Sequence, residues 1–348
     1  MLKKLLAIIA FAGTSYAHAQ DTTSTSSPLE ISGSVDAYYK YDFSGVGNIP
    51  TYFNSDNNSI SLGMIDVALK KSTGKASFVG ELSFGPRGQY QSIPTGDAND
   101  PSNSFHIQNL YVNYAFTDKF SMTAGYMGTF VGYEVISPVG NFNYSTSYLF
   151  GAGPFQNAGI KANYAISDKV GIMVGLFNDW NTYQDLNGVS DFGAQLSLAP
   201  VEGFNAYINF LTGYPSGTII DLTTTYQLTD AFKLGLNAAD RTIPSDGGGY
   251  TGVALYPQYS LSDNFALGLR GEYFKVKKDD AAGSIFVSPD ESITSLTLSA
   301  NLKAGGLTFI PEIRLDNASE NVFMKKKTSL GADTKSASQF SLAVVYAF

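Results

Sequence analysis

Apolar and polar residues alternate with a period of two along most of the chain from residue 29 onward. In one segment the apolar parity holds Leu110, Val112, Tyr114 and Phe116, and the residues between them are less apolar. Successive side chains of a β-strand point to opposite faces, so this pattern predicts strands with one apolar face. The alternation resumes after each of a series of short polar breaks, which predicts antiparallel hairpins.

Four of these breaks share one pattern, a Tyr followed four residues later by an Asp, as in "YAFTDKF" and "YAISDKV". The carboxylate and the neighbouring Ser or Thr hydroxyl can accept hydrogen bonds from the backbone N–H groups of a tight turn. The four turns contain Asp118, Asp168, Asp230 and Asp263. Three further short connections are predicted at 72–75, 200–203 and 304–306, so seven turns are tight.

The connections between these hairpins are mostly longer and mostly polar. They are predicted at 44–59, 87–104, 131–157, 182–190, 214–217, 242–249, 278–290 and 318–335. With a first strand at 29–43 and a last at 337–348, the strand count is sixteen. Short turns at one end and long loops at the other predict a transmembrane antiparallel β-barrel, with periplasmic turns and extracellular loops. Closure is required because an open sheet edge cannot be satisfied in hydrocarbon.

Aromatic residues support this all-β prediction at two places. Four tyrosines precede the turn Asp residues at one height, which is typical of an interfacial aromatic belt: Tyr114, Tyr164, Tyr226 and Tyr259. The last strand alternates up to Tyr346 and Phe348, and these two residues resemble the terminal signal that barrel-insertion machinery reads. We therefore expect that machinery to be a partner of the chain.

Residues 1–19 have the form of a signal peptide. Lys3 and Lys4 precede a short apolar run, and Ala17 and Ala19 stand at the positions that a signal peptidase reads. We expect cleavage before Gln20, a flexible leader at 20–28 and one barrel at 29–348, exported by a Sec-type route to the outer membrane. A separate plug domain is not expected, because the leader is too short for one.

Charge and composition exclude several classes of function. The net charge of −8 at pH 7 argues against nucleic acid as a partner, and there are no cysteines. His106 is the single histidine after the predicted cleavage site, so we expect no catalytic triad, no metal site and no cofactor. Outer-membrane lipid and lipopolysaccharide are expected partners. The run 325–327, three lysines, either contacts lipopolysaccharide phosphates or only keeps a loop soluble.

Charged residues of the predicted strands fall on the parity opposite the apolar one. A charge facing lipid costs about 2–4 kcal/mol at the midplane, so this parity is expected to face a polar interior. Sixteen strands enclose water rather than a core. These residues either border an aqueous channel or neutralise one another, as in the pairs Arg270–Glu272 and Glu312–Arg314. The predicted lumen-lining residues are Asp36, Lys40, Asp66, Glu81, Lys161, Asp221, Lys233, Arg270, Glu272, Glu312 and Arg314.

The third long connection, 131–157, differs from the others because it is rich in aromatic residues. A loop of this composition is unusual in water and is expected to pack against protein. It either folds into the barrel as a pore constriction or buries itself as an extracellular cap. The residues predicted to form a constriction are Tyr133, Glu134, Asn143, Tyr144 and Tyr148.

The stretches "YEVISPVGNFNYSTSYLF", "GPFQNAG" and "GLFNDWNTYQDLNG" resemble the OmpL-like β-barrel porin-2 family of outer-membrane proteins. The resemblance rests on Glu134, Asn143, Tyr144, Ser145, Ser147, Gly153, Pro154, Gly159 and Trp180. Thr146 stands where the family has Arg, and Asn157-Ala158 stands where it has His-Thr. The resemblance implies a porin-like channel of unspecified substrate. If the Arg and His tune an opening in relatives, the two departures predict a less basic loop and a different selectivity for this chain.

Two functions are compatible with these features. The first is a passive channel for small hydrophilic solutes or ions, as a monomer or a homotrimer. The second is a non-conducting barrel that acts through its loops as a surface receptor, adhesin or structural protein. The charged interior favours the first, and the long last loop at 318–335 keeps the second open.

Overall fold

The computed structural model describes residues 26–49, 51–89, 93–94, 105–185, 188–245, 247–278 and 288–348. The predicted signal peptide, with Ala17 and Ala19, lies outside the described residues. So does most of the predicted leader. The side chain of His106 is also outside them.

Seventeen strands are present within the described ranges, and sixteen of them are long. The exception is β4, a two-residue strand in the second loop that pairs with β5. The prediction of sixteen barrel strands is confirmed. The bounds are β1 Glu30–Asp42, β2 Ser59–Thr73, β3 Ala76–Phe84, β4 Ile93–Pro94, β5 Phe105–Ala115, β6 Phe120–Gly128, β7 Gln156–Ser167, β8 Val170–Phe177, β9 Asp191–Leu198, β10 Phe204–Gly213, β11 Gly217–Gln227, β12 Phe232–Thr242, β13 Gly249–Ser262, β14 Phe265–Val276, β15 Ser292–Ala304, β16 Leu307–Ala318 and β17 Ser336–Ala347.

Each long strand pairs antiparallel with its neighbours in the chain, and the sheet closes on itself. The closing pair is β1 with β17, in a register that places Ser34 opposite Ala347 and Asp42 opposite Gln339. At the end of this seam, Phe348 and Gly33 exchange two backbone hydrogen bonds of 3.0 Å. The fold is therefore a closed antiparallel β-barrel without a free edge.

The two faces of the wall differ as the alternation predicts. On β15, Leu296 and Leu298 are 45% and 49% exposed, whereas Thr297 between them is fully buried. Most exposed apolar side chains of the other strands follow the same outward parity, and most charged strand residues point inward, with exceptions near the strand ends such as Asp240 and Lys275. The outer surface is thus an apolar band, as in barrels that face lipid, and the interior holds most of the charged groups together with a buried apolar cluster.

The tyrosines before the short turns lie on the outer face. Tyr114, Tyr164 and Tyr259 are about half exposed. Tyr164 pairs with Phe120 and Tyr259 pairs with Phe232 on the adjacent strands, so rings of neighbouring strands share one height. This arrangement fits an aromatic belt at one membrane interface.

The described helices are all short and lie in the long connections. They are α1 (Pro86–Gln89), a 3-10 turn (Pro138–Gly140) and α2 (Tyr148–Ala152). No helix within the described residues has the length and apolar character needed to cross a membrane. The third connection, called loop 3 below, comprises residues 129–155, because β6 ends at Gly128 and β7 begins at Gln156.

Candidate functional site

Loop 3 lies inside the barrel, and most of the strands that it contacts are not the two strands that it connects. It leaves β6 and returns to β7, yet it contacts inward-facing groups on β9, β11, β12, β13, β14, β15, β16 and β1. Seven of the nine residues from Asn143 to Gly151 are buried. The loop therefore follows roughly half of the inner wall before it turns back.

An ion pair holds the first half of the loop. The Arg270 guanidinium on β14 donates to Glu134 at 2.8 Å, and neither side chain is appreciably exposed. The same guanidinium donates to the Ser145 carbonyl at 2.6 Å and to the Thr297 hydroxyl at 3.2 Å. Because a buried charge needs both a counter-charge and hydrogen bonds, these contacts make Arg270 the central anchor of the loop.

Two carboxylates of the wall accept hydrogen bonds from the loop backbone. Glu312 accepts from the N–H groups of Tyr144 (2.9 Å) and Ser145 (3.2 Å). Glu272 accepts from the N–H groups of Tyr148 (3.0 Å) and Leu149 (2.8 Å). Backbone N–H groups of a buried loop have no strand partner, and the inward carboxylates supply one.

These contacts correct the two ion pairs suggested by the sequence. Arg270 pairs with Glu134 rather than Glu272, and Arg314 pairs with Asp316 at 2.9 Å rather than with Glu312. Each expected pair joined two residues of one strand. The actual partners depend on the position of loop 3, and the alternation along a strand gives no information about that position. Arg314 also donates to the Thr146 carbonyl at 2.7 Å.

Two tyrosine hydroxyls of loop 3 also donate hydrogen bonds to the barrel wall. Tyr144 donates to Asp36 on β1 and Tyr148 donates to Asp316 on β16, each at 2.5 Å. Burial raises the pKa of both tyrosines well above its ordinary value, and it raises the pKa of Tyr133 to about 12. The hydroxyls consequently stay protonated at any physiological pH, and Tyr144 and Tyr148 remain donors.

An arginine of the second loop, which the sequence analysis did not single out, supports loop 3 from behind. Arg87 of α1 is fully buried, donates to Asp36 at 3.4 Å and to the Ile136 carbonyl at 3.3 Å, and lies 4.9 Å from the centroid of the Tyr144 ring. A lone arginine in a polar loop gives no sequence signal of such a role. Its partners come from β1 and loop 3, which only the closed barrel brings together.

Inward-facing glycines of the wall receive the side chains of loop 3. A Cβ at Gly268 would stand 2.2 Å from the Phe142 ring, and one at Gly235 would stand 2.3 Å from the Tyr133 hydroxyl. The Tyr133 ring also stacks on Tyr256, with centroids 4.3 Å apart. Strand glycines commonly mark a close approach of another group, and here that group is the loop.

Filling one of these spaces should displace the loop without breaking the barrel. We expect Gly268→Leu to push Phe142 off the wall and to increase cleavage of loop 3 by chymotrypsin several-fold, read by mass spectrometry. The matched control is Gly271→Leu on the same strand, where an added Cβ meets nothing within 4 Å. Equal cleavage of the two variants would contradict the seating of Phe142 against Gly268.

The predicted lumen-lining residues all lie on the inward parity, and most of them are engaged. Lys40 donates to the Ile49 carbonyl (3.3 Å), Glu81 accepts from Asn109 (2.5 Å), and Asp66 accepts from Ser34. Asp221 accepts from Asn209 and from the N–H of Gly132 in loop 3. Lys161 and Lys233 are half-buried on the same face. Contact of these residues with solute remains a prediction.

The residues expected to form a constriction serve as anchors of loop 3. Glu134, Asn143, Tyr144 and Tyr148 are at most 8% exposed, and Tyr133 is half-buried. Asn143 donates to the Ser299 hydroxyl on β15 at 2.7 Å. The exposed residues of the loop, within its described span, are Gly132, Val139 and Gly140. The edge that the loop presents to water is thus small and apolar rather than acidic.

The residues expected to carry the insertion signal lie at the seam of the barrel. Tyr346 and Phe348 are 42% and 57% exposed, on the outer face, with ring centroids 6.2 Å apart. Reading of these rings by insertion machinery remains a prediction.

A closed barrel of sixteen long strands, with an apolar outer band and a polar interior, is the architecture of an outer-membrane porin. The family described as "Putative beta-barrel porin-2, OmpL-like" has a model that matches residues 28–348. The chain belongs to this family, which confirms the resemblance seen in the sequence and the location in the outer membrane.

Solved structures with the same fold include three kinds of barrel. The outer-membrane channel DcaP of Acinetobacter baumannii is 12% identical, with 92% of this chain and 97% of that chain covered and a TM-score of 0.62. OmpF of Salmonella typhi, solved with daunomycin, is 12% identical over the same shares, with a TM-score of 0.64. OmpT of Vibrio cholerae in a trimer form is 13% identical, with 93% and 99% covered and a TM-score of 0.56. The search among curated proteins found no match.

Proposed function

We propose that the protein is a passive, water-filled channel for small hydrophilic solutes or ions, in which loop 3 forms the constriction. The observation that carries this proposal is the set of hydrogen bonds between loop 3 and the inner wall of the barrel. Its backbone and side chains are bound to inward-facing groups from β11 round to β1, so it narrows the lumen without depending on a ligand. In a barrel of this strand number, the rest of the interior is wide enough for water.

We propose in addition that the protein is not an enzyme. The clustered carboxylates of the interior, such as Glu134, Glu272 and Glu312, are occupied by an arginine or by loop N–H groups. A catalytic carboxylate needs access to its substrate, and these side chains are no more than 8% exposed. Their arrangement supports a structural role.

The proposal also includes association of three copies. It is supported by the trimer form of the Vibrio cholerae barrel, which shares the fold. The mass of the detergent-solubilised protein, measured by native mass spectrometry, tests this part. A single-chain mass at all concentrations would contradict it and would leave the channel proposal standing.

Single-channel recording of the refolded protein in a planar bilayer tests the function. We expect discrete conductance steps in NaCl that shrink and then vanish as larger organic ions replace Na⁺ and Cl⁻. Folded barrels that give no steps would overturn the proposal. They would instead support the alternative, a non-conducting barrel acting as receptor, adhesin or structural protein through its loops.

A further inference from the structure

A pocket of about 710 Å³ lies on the outside of the barrel, at the end of the wall that carries the long loops. Its wall side chains belong to the outward parity of four adjacent strands or their ends, as their exposure shows. They are Phe43 after β1, Thr294 and Leu296 on β15, Leu315 and Asn317 on β16, and Ser336 and Ser338 on β17. The pocket therefore opens toward the membrane or its outer interface and not into the lumen.

The connection between β16 and β17, residues 319–335 and called loop 8 here, forms the roof of this pocket. Met324, Lys325 and Thr334 line it, and the loop is folded as a hairpin in which Phe323 pairs with Thr334. Asn48 of the first loop exchanges hydrogen bonds of 2.8 Å with the backbone of Met324. The roof is thereby fixed over the pocket, and buried Phe323 belongs to the same apolar cluster as Ile49 and Ala318.

An internal carboxylate keeps the hairpin in shape. The N–H of Lys325 donates to Asp333 at 2.7 Å and the Ser329 hydroxyl donates at 3.0 Å. The bond from Lys325 lowers the pKa of Asp333, so the carboxylate is charged and holds the hairpin at neutral pH.

The loop carries a surplus of positive charge in a chain that is acidic overall. Residues 319–335 contain four lysines and two carboxylates. Lys335 pairs with Glu320, whereas the adjacent run 325–327 is exposed and makes no ion pair within the described residues. The aliphatic part of Lys327 lies over Gly45, beside the wall of the pocket.

The chemistry of the pocket changes with height. Its lower wall has Leu296 and Leu315 beside Ser338, its upper wall carries hydroxyl and amide groups at Thr294, Asn317 and Ser336, and its roof carries Lys325. The two acidic lining residues face other partners: Asp316 pairs with Arg314, and Asp42 accepts from Ser44 and Asn48. An amphiphile with an acyl chain below and a phosphorylated sugar above fits this order.

We propose that this pocket binds an outer-leaflet glycolipid, with one acyl chain against Leu296 and Leu315 and a sugar phosphate on Lys325 and its neighbours. The volume is in the range of pockets that hold small molecules. Basic side chains at a membrane surface attract anionic headgroups, which gives the phosphate contact its direction. The inference does not depend on conduction, because the pocket is on the opposite side of the wall from the lumen.

Native mass spectrometry of the full-length folded protein, titrated with bis-phosphorylated lipid A, tests the proposal. We expect one tightly retained lipid A per chain. In Lys325→Ser/Lys327→Ser we expect the retention of lipid A to be weaker by roughly tenfold or more. Removal of the phosphates from lipid A should weaken retention to the same extent. The matched control is Lys119→Ser/Lys303→Ser, which removes two exposed lysines at the opposite end of the barrel.

A second pair of variants tests the acyl contact on one strand. The first variant is Leu296→Ser, at a residue that lines the pocket. The second is Leu302→Ser, at a residue on the same outer face of β15 but near the short turns. We expect only the first to release lipid A. The proposal would be overturned if the two lysine variants retained lipid A equally, or if an anionic phospholipid bound as tightly as lipid A. It would also be overturned if Lys325→Ser/Lys327→Ser dissociated dimers and trimers of the protein without releasing lipid.

Discussion

Replacing residues 141–152 with a Gly-Ser-Gly linker should increase the single-channel conductance several-fold and raise the size of the largest permeant organic ion. This segment contains most of the groups that bind the wall, including the N–H groups of Tyr144 and Tyr148 and the hydroxyls of the same residues. Without it, loop 3 keeps only its first anchors and no longer spans the interior. The measurement is the step size in NaCl and in salts of larger ions.

The control is a shortening of comparable kind in loop 8. Residues 326–331 are mostly exposed, with Leu330 fully exposed, and lie outside the lumen. Their removal should leave the step size unchanged. A loop 3 variant that folds to a barrel by circular dichroism, yet conducts like the natural protein, would show that loop 3 is not the constriction.

Arg270→Met should release loop 3 from the wall while the strands stay paired. The substitution leaves Glu134 buried without its cation and removes the guanidinium that donates to the Ser145 carbonyl. Breaking a buried ion pair by removing one partner costs about 3–5 kcal/mol. The hydrogen bonds between the strands do not involve this side chain, so we expect the lost free energy to weaken the docking of loop 3 and not the barrel. Undocking would be measured as noisier and larger conductance steps and as faster cleavage of loop 3.

Two comparisons make this result specific. Lys275→Met on the same strand removes an ion pair with Asp290 that is exposed and screened by water, and it should change neither readout. Glu134→Gln combined with Arg270→Met should recover part of the docking, because the uncompensated carboxylate is gone. If the double variant is as open as the single one, the ion pair is not what holds the loop.

The fold could be derived from the sequence because a barrel wall is periodic. The parity of Leu296, Thr297 and Leu298 determines which side chain meets lipid, and the Asp-containing turns mark the places where strands reverse. Both signals are local. Neither depends on which distant residue a side chain eventually meets, so strand number, direction and the two faces could be predicted together.

The site was only partly predictable because its partners are non-local. The aromatic content of loop 3 indicated burial, and Glu134, Tyr144 and Tyr148 are indeed among its buried residues. The sequence did not indicate that Glu134 would meet Arg270, or that Arg87 would meet Asp36. Those pairs depend on the course of a loop across the interior, and no alternation encodes that course.

The position of Tyr144 has a consequence for assembly order. Its hydroxyl is bound to Asp36 on the first strand, and its backbone N–H is bound to Glu312 on the sixteenth of the seventeen strands, across the junction where β1 meets β17. These two acceptors are brought within reach of one residue only after the cylinder has closed. We therefore expect both contacts of Tyr144 to form only once β1 has paired with β17, so that complete docking of loop 3 depends on closure of the barrel.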